Sequence, residues 1–258
     1  MKVKKIITHA GAFHADEVLA VAILRHFGVM APVERKFQVN PEELADPEIL
    51  VLDVAQRYQP KLGNFDHHQD RESPATNILI ADWLVASGAM DTEVRGNLQE
   101  FLGYVSDVDR GVIPGGGIAA SFNGIIRSLN PADIGQSMPV FEGAVTLAQQ
   151  IFAAQLTFAE RAVADRKVWA SLERIADGKV AIQLDTYQMS NWMQLAEKEG
   201  VAFLVTPNLR GGWQIISRDS VIFNIPADVR QSFRHNSGFL AVYGSKEEAI
   251  AHATEIAG

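Results

Sequence analysis

Four histidines and three aspartates near the N-terminus form the set of residues with the clearest chemical potential. Each stands at the end of a predicted strand or in the loop that follows, and the set is His9, His14, His67, His68, Asp16, Asp53 and Asp66. Imidazole and carboxylate groups together suit Mn²⁺, Fe²⁺ or Zn²⁺ better than Ca²⁺. Because these candidate ligands are more than one ion needs, the sequence predicts two divalent ions, an arrangement suited to in-line displacement at phosphorus.

Strands and loops must bring these residues together. Lys4 to Thr8 is predicted to be the first strand and Asp16 to Phe27 an amphipathic helix, so residues 9–15 form the turn between them. The apolar run from Ile49 to Val54 is typical of a buried parallel strand, and Asp53 is its one charged member. Because the carboxyl ends of parallel strands share one crevice, we expect the candidate ligands to converge there.

Some of these residues also have ordinary structural explanations. A lone His9 after a strand would more often be a hydrogen-bonded structural histidine than a ligand. Asp16 and Glu17 could both be first-turn carboxylates stabilised by the helix dipole, and we assign Glu17 to that role. Asp53 is different, because a carboxylate that closes a buried strand needs a cation, a metal ion or a hydrogen-bond donor.

The rest of the chain predicts further helices and shorter strands. Helical patterns cover residues 75–87, 92–108 and 119–129, one long helix or two cover residues 141–176, and a capping box at residues 245–248 begins a final helix. Shorter strands are expected at residues 179–184, 202–206, 213–217 and 239–243. This order predicts an α/β protein, with a parallel-sheet domain flanked by helices at residues 1–135. A connecting helix and a smaller α/β domain follow at residues 136–258.

Composition excludes several kinds of protein. The 258 residues contain no cysteine, which excludes disulfides, thiolate nucleophiles and cysteine-bound zinc. A formal net charge of −8 disfavours binding of extended duplex DNA, which relies on clustered cations. No apolar run approaches the length of a membrane span, and His9 and His14 interrupt the first one, so a cytoplasmic protein without a membrane partner is expected.

The order and spacing of five segments resemble the motifs of the DHH phosphoesterase superfamily. The segments are Thr8-His9, His14-Ala15-Asp16, Asp53, Asp66-His67-His68 and Asp109-Arg110-Gly111. Within that superfamily, residues 8–17, residues 65–69 and Phe239 are most similar to the melanocyte-proliferating-gene family of metal-dependent exonucleases. The resemblance extends over nearly the whole chain.

This resemblance implies roles for the individual residues. The implied metal ligands are His9, His14, Asp16, Asp53, His67 and Asp109. Asp53 would bridge two ions, His68 would face the phosphate, and Asp66 would orient a histidine. Ser106 and Arg110 stand where the superfamily usually has Asp and Asn, so Asp107 remains an alternative to Asp109. Mn²⁺ is the expected metal, with Mg²⁺, Fe²⁺, Co²⁺ and Zn²⁺ as alternatives.

The resemblance also implies a substrate-binding loop in the C-terminal domain, which would close over the substrate. The loop residues are Arg234, His235, Asn236, Ser237 and Gly238. On the residues alone, an ordinary turn before a strand explains this segment equally well, because Asn, Ser and Gly favour turns.

The ligand set predicts hydrolysis of phosphodiester bonds by a hydroxide that two metal ions activate, and the resemblance implies 3′–5′ exonuclease action on short RNA or oligonucleotides. One alternative is a small-molecule phosphatase acting on pyrophosphate, a nucleotide or a cyclic dinucleotide. Another is a regulator that binds metal or nucleotide without turnover. The sequence leaves the oligomeric state open, and a homodimer is one state that it allows.

Overall fold

The computed structural model describes residues 2–114, 121–133 and 137–258. Their contacts divide the chain into two units, Met1–Glu160 and Arg161–Gly258. The predicted glycine loop at residues 115–117, the first residues of the helix predicted at residues 119–129 and the predicted boundary after residue 135 lie outside the described residues. The division into domains at that boundary therefore stays a prediction.

The first unit contains a five-stranded sheet in the order β2-β1-β3-β5-β4. Its strands are β1 (Lys5–His9), β2 (Val33–Lys36), β3 (Ile49–Leu52), β4 (Tyr58–Gln59) and β5 (Asn64–Phe65). β1 pairs in parallel with β2 and β3, and β3 pairs in parallel with β5, whereas β4 is antiparallel to β5. The carboxyl ends of β1, β3 and β5 therefore lie at one edge, which places His9, Asp53 and Asp66 side by side along it.

Six of the described helices lie wholly within the first unit. They are α1 (Ala15–His26), α2 (Pro41–Ala45), α3 (Thr76–Ala86), α4 (Thr92–Asn97), α5 (Gln99–Asp109) and α6 (Phe122–Ser128). Of these, α1, α3 and α5 carry residues that lie at this edge of the sheet. α1 is buried from Ala15 to Leu24 and packs against α3. The single helix predicted over residues 92–108 is wrong, because it divides at Leu98, directly after the weak helix formers Gly96 and Asn97.

One long helix, α7 (Ser137–Ser171), connects the sequence of the first unit to that of the second. The prediction of a helix in this region is confirmed, in its single-helix form, but its predicted end at Ala176 is wrong. Residues Glu173–Ile175 instead form strand β6, and the turn that follows places Ala176 and Asp177 at positive φ. Tertiary pairing of β6 with the next strand outweighs the local helix propensity of this segment.

The second unit contains a six-stranded mixed sheet in the order β10-β11-β9-β8-β7-β6. Its other elements are β7 (Val180–Ile182), α8 (Trp192–Glu199), β8 (Phe203–Pro207), β9 (Trp213–Ser217), β10 (Gln231–Arg234), β11 (Leu240–Tyr243) and α9 (Lys246–Ala257). The predicted capping box of α9 is confirmed, because Ser245 Oγ accepts from Glu248 N–H at 3.2 Å. Both units combine helices with strands, so the predicted α/β class is confirmed. No described helix is long and apolar enough to cross a bilayer.

A buried carboxylate holds the loop between β7 and α8. Asp165 on α7 has no exposed surface, and it accepts hydrogen bonds from Ser190 N–H at 2.7 Å, Asn191 N–H at 2.9 Å and the Tyr187 hydroxyl at 2.9 Å. All three donors belong to the segment that leads into α8. A charged acceptor therefore replaces the backbone partners that this loop lacks.

We expect Asp165→Ala to lower the free energy of unfolding by about 1.5–3 kcal/mol, because the loop loses a charged acceptor that holds two backbone N–H groups and the Tyr187 hydroxyl. Urea denaturation followed by circular dichroism measures this loss. Glu197→Ala, at an exposed carboxylate on α8 of the same unit, is the control and should change stability by less than about 0.5 kcal/mol. Equal stability of Asp165→Ala and the parent protein would contradict this role.

Candidate metal centre

The turn between β1 and α1 places two histidines and two carboxylates within a few residues. His9 ends β1, and His14 is the N-cap of α1 in an extended conformation. The Glu17 carboxylate accepts from the His14 backbone N–H, with its two oxygens at 2.8 and 2.9 Å. This contact closes the first turn of α1, in which Asp16 is fully buried.

Two distant residues hold the same turn from outside. The Asn130 side chain accepts from Phe13 N–H at 2.7 Å and donates to the Phe13 carbonyl at 2.8 Å. Arg35 on β2 donates from Nη2 to the Gly11 carbonyl at 3.1 Å. The turn that carries His9 and His14 is therefore positioned by contacts that the motif does not contain.

Asp53 lies between two histidines. It follows β3 with a left-handed φ of 57°, and its N–H donates to the Phe65 carbonyl at 3.0 Å. Its Oδ2 is 3.4 Å from His9 Nε2, and its Oδ1 is 3.2 Å from His67 Nε2. Only 2% of the residue is exposed. One carboxylate thus presents each of its oxygens to a different histidine, which is the arrangement required of a bridging ligand.

Asp66 contacts His68 rather than His67. Its Oδ2 accepts from Gln56 N–H at 2.6 Å, and its Oδ1 accepts from His68 N–H at 3.0 Å and lies 2.8 Å from His68 Nδ1. A carboxylate only accepts, so Nδ1 of His68 carries the proton in this contact. Asp66 therefore orients the ring of His68 and fixes its tautomer.

Asp109, the last residue of α5, reaches the same cluster. Its Oδ2 is 3.3 Å from His67 Nε2, and its Oδ1 is 3.6 Å from His14 Nδ1. Asp107 instead lies 3.6 Å from the Arg110 guanidinium. Ser106, where the superfamily usually has Asp, is fully buried and accepts from Ala75 N–H at 3.0 Å. The geometry therefore supports Asp109 over Asp107, and Ser106 has a structural role beside α3.

Possible ligand atoms form three overlapping groups, each within 4.8 Å. The groups are His9, His14, Glu17 and Asp53; Asp53, His67 and His68; and His14, Asp16 and Asp109. Several buried atoms at their centre make no hydrogen bond within the described part of the chain: His9 Nε2, His67 Nε2, Asp16 Oδ1 and Asp53 Oδ2. The two histidine nitrogens have only ion-pair contacts with carboxylate oxygens, at 2.9–3.4 Å, and a divalent cation would satisfy all four atoms at once. The donor set therefore fits a divalent metal.

The pKa values of His9, His67 and Asp16 are all raised, because several negative charges are buried close together. Burial alone would lower the pKa of His9, but its contacts with Glu17 and Asp53 outweigh this and raise it to about 9. Burial also opposes the shift at His67, where Asp109 and Asp53 raise the pKa to about 9. Burial and the neighbouring charge of Asp53 together raise the pKa of Asp16 well above its ordinary value.

Glu17 belongs to this cluster, although its position in the sequence predicts only a role at the helix terminus. It does close the first turn of α1, but it is also fully buried, and its Oε1 lies 2.9 Å from His9 Nε2. Thr76 at the start of α3 is a further neighbour, because its hydroxyl donates to Asp53 Oδ1 at 3.2 Å. The position of Glu17, three residues after the N-cap His14, indicates from the sequence that its carboxylate folds back toward this turn. No local pattern indicates that Thr76 lies beside Asp53.

The predicted substrate-binding loop forms the turn between β10 and β11. Arg234 donates from Nε to the Ile225 carbonyl at 2.6 Å and from Nη2 to Asn224 Oδ1 at 3.1 Å. His235 Nδ1 lies 2.9 Å from Ser237 Oγ, and Gly238 has a φ of 70°. A side chain at Gly238 would collide with Asn224, so glycine is needed there. Binding by Arg234, His235, Asn236, Ser237 and Gly238 stays a prediction.

Comparison with known proteins agrees with the motifs. Residues 5–78 match the MYG1 exonuclease family model, which is described as an uncharacterised protein family (UPF0160). The MYG1 protein of Chlamydia trachomatis is 31% identical over 135 residues, which cover 51% of this chain and 46% of that protein. The MYG1 exonuclease of Mus musculus is 45% identical over 65 residues, which cover 25% of this chain and 17% of that protein.

The chain resembles the MYG1 family. This resemblance, predicted from the motifs, is confirmed for the segment that carries His9, His14, Asp53, His67 and His68. The match spans about half the length of the chlamydial MYG1 protein and about a sixth of the mouse MYG1 exonuclease. Among solved structures, the manganese-bound exonuclease RecJ is 15% identical with a TM-score of 0.30, covering 98% of this chain and 90% of RecJ.

We expect Asn130→Ala to weaken Mn²⁺ binding by about 10- to 100-fold, because the turn between β1 and α1 loses both hydrogen bonds that hold the backbone of Phe13. Isothermal titration calorimetry measures the affinity. Ser128→Ala, an exposed position at the end of α6, is the matched control and should bind Mn²⁺ like the parent. An unchanged affinity in Asn130→Ala would show that the hydrogen bonds between Asn130 and Phe13 do not position the ligands.

Metal binding should depend on pH, because His9 and His67 each have a pKa of about 9 in the metal-free protein. Both rings are protonated at neutral pH, so Mn²⁺ must displace about two protons and should bind more tightly as the pH rises toward 9. Calorimetry in buffers with different ionisation enthalpies counts these protons. An affinity that does not change with pH would contradict the assignment of His9 and His67 as metal ligands. The control variant His26→Ala should release the same number of protons as the parent protein.

The same shifts predict the pH dependence of stability in the metal-free protein. The folded-state pKa values lie above the ordinary histidine value of 6.5, so these protons stabilise the fold fully below pH 6.5. That stabilisation is lost as the pH rises through about 9.

Proposed function

We propose that this protein is a metal-dependent phosphoesterase that cleaves phosphodiester bonds, with short RNA or oligonucleotides as substrates and 3′–5′ exonuclease action. The proposal includes two divalent ions, Mn²⁺ first among them. The observation that carries it is the position of Asp53, whose two oxygens face His9 and His67 separately. A carboxylate shared in this way is the central element of a two-ion site for phosphoryl chemistry.

The ligand groups divide naturally into two sets that share Asp53. His9, with Glu17 beyond it, approaches Oδ2, whereas His67, with Asp109 beyond it, approaches Oδ1. Divalent ions bound there would polarise phosphate oxygens and lower the pKa of water. The carboxylates would keep the ions close together, and the surrounding burial would strengthen each electrostatic contact.

His68 is the residue best placed to meet a substrate. Its side chain is half exposed, whereas the neighbouring His67 side chain is only 8% exposed. Because Asp66 holds Nδ1, the other ring nitrogen is left to hydrogen-bond a phosphate oxygen or to pass a proton to the leaving oxygen. Asp66 would act through His68, as an orienting residue.

The surroundings of the cluster support a short substrate. A cavity of about 710 Å³ beside His67 and His68 is also lined by Arg71 and Arg110. These arginines can contact one or two phosphates, but Asp70 and Glu72 line the same cavity, and the chain as a whole carries a net charge of −8. An extended nucleic acid would need a longer cationic track than this. The name of the mouse relative, MYG1 exonuclease, agrees with an oligonucleotide substrate.

The same cavity also favours a second candidate function, that of a small-molecule phosphatase. A volume of about 710 Å³ with two arginines would also accept pyrophosphate, a nucleotide or a cyclic dinucleotide. The chemistry at Asp53 would be unchanged, so only the choice of substrate separates the two functions.

We expect Asp53→Asn and His67→Ala each to reduce kcat/KM on short RNA in Mn²⁺ by at least about a hundredfold, or about 3 kcal/mol of transition-state stabilisation. Short DNA, pyrophosphate and cyclic dinucleotides are compared in the same assay, and end-labelled RNA gives the direction of cleavage. Chelation should abolish activity, and added Mn²⁺ should restore it.

The matched controls are Asp82→Asn and His26→Ala, an exposed carboxylate and an exposed histidine outside the candidate centre. Both should retain the parent activity. Undiminished activity in Asp53→Asn and His67→Ala would overturn the proposal. Tight Mn²⁺ binding without turnover of any substrate would favour a metal-binding regulator instead.

A further inference from the structure

The two faces of the C-terminal sheet are covered differently. On one face Ile215, Ala241 and Tyr243 pack in a hydrophobic cluster with α9. On the other face Ala181 and Leu204, from β7 and β8, pack against the tryptophans of α7 and α8. Side chains alternate along a strand, so Gln214, Leu240 and Val242 belong to this second face but lie farther along the sheet.

A cavity of about 660 Å³ occupies this part of the second face. Its floor includes Leu240 and Val242 of β11 and Gln214 of β9, where Val242 pairs with Gln214. Phe233 of β10 pairs with Val242 on the other side, and 53% of it is exposed. A large aromatic ring therefore stands exposed on a strand whose position the sheet determines. Such a ring is a platform on which a flat ligand can stack.

The cavity also offers amide groups that can recognise the edge of a ring. Gln214 is 9% exposed, and its Oε1 accepts from Asn208 Nδ2 at 2.9 Å. Its own NH₂ group donates to no other residue of the described chain, although the side chain is almost buried. Gln188 lies in the wall of the cavity, on the loop that Asp165 holds through Ser190 N–H. These amides supply both donors and acceptors.

The charge of the cavity is opposite to that of the whole chain. Arg210 is its one charged lining residue among those described, and no aspartate or glutamate lines it. The loop that carries Arg210 is ordered, because Arg210 N–H donates to Asn208 Oδ1 at 2.8 Å and Asn208 N–H donates to the Gly212 carbonyl at 3.0 Å. In a chain of net charge −8, a cationic cavity without carboxylates favours an anionic ligand.

We infer that this cavity binds one nucleotide unit, with its base stacked on Phe233, its base edge at the Gln214 amide and its phosphate near Arg210. A nucleotide combines the three properties that the cavity matches: a flat ring, a polar ring edge and a negative charge. The inference deepens the proposed function and rests on it for the choice of a nucleotide over other aromatic anions. The ligand is either a free nucleotide or the end of an oligonucleotide.

Binding is measured by calorimetry with 5′-AMP, adenosine and a short RNA, on the full chain in EDTA so that no hydrolysis occurs. We expect saturable binding of 5′-AMP, weakened about tenfold or more in Phe233→Ala and retained in Phe233→Trp. Arg210→Gln should weaken 5′-AMP but leave adenosine unchanged. Short RNA that binds with the same dependence on Phe233 would identify the ligand as an oligonucleotide end, and binding of 5′-AMP alone would identify it as a free nucleotide.

Phe158→Ala is the matched control, because Phe158 is 51% exposed and lies outside the cavity. It should bind 5′-AMP like the parent. Absence of 5′-AMP and RNA binding in the parent, or equal binding in Phe233→Ala, would overturn the inference. Asp53→Asn should keep this metal-free binding, so loss of hydrolysis with binding intact would concern the proposed function alone. Binding of a protein partner over Phe233, with no binding of 5′-AMP or RNA, would also overturn the inference.

Discussion

The buried carboxylate of Asp53 is the constraint on which the candidate centre depends. A negative charge at the end of a buried strand is tolerated only where opposite charge or donors surround it. His9, His67 and Thr76 approach it from three different elements. Its N–H is bonded to the Phe65 carbonyl, so the same residue ties the end of β3 to the end of β5.

Three carboxylates are buried together in the candidate centre, and this concentration of negative charge favours the binding of cations. Asp16, Glu17 and Asp53 are at most 2% exposed, and Asp109 lies close to them. Protonated histidines compensate part of this charge, which is why their pKa values are raised. A divalent ion would displace these protons and compensate the negative charge more completely. Burial of these charges destabilises the metal-free fold, and metal binding would stabilise it.

The two units use their sheets in different ways. In the first, parallel strands end at one edge, so that His9, Asp53 and Asp66 become neighbours there. In the second, a mixed sheet leaves part of one face open, where the strands present Phe233 and Gln214. A parallel edge suits convergent charged ligands, whereas an open sheet face suits a flat ligand.

Local patterns in the sequence determined the elements and the residue types of the candidate centre. Apolar runs and capping signals indicated β1, α1, β3 and α9, and the motifs indicated His9, Asp53 and His67. Only the tertiary structure decided their partners. The contact between Asn130 and Phe13 spans 117 residues, and the second role of Glu17 depends on His9 of a different element.

The physical reason is the range of the interactions involved. Backbone propensity and hydrophobic periodicity act over a few residues, so the sequence shows them directly. Hydrogen bonds between distant side chains, the strand pairing that ended α7 before β6, and the open face beside Phe233 depend on which surfaces meet after folding. The placement of Asp109 rather than Asp107 beside His67 is decided in the same way, by the packing of α5 against its neighbours.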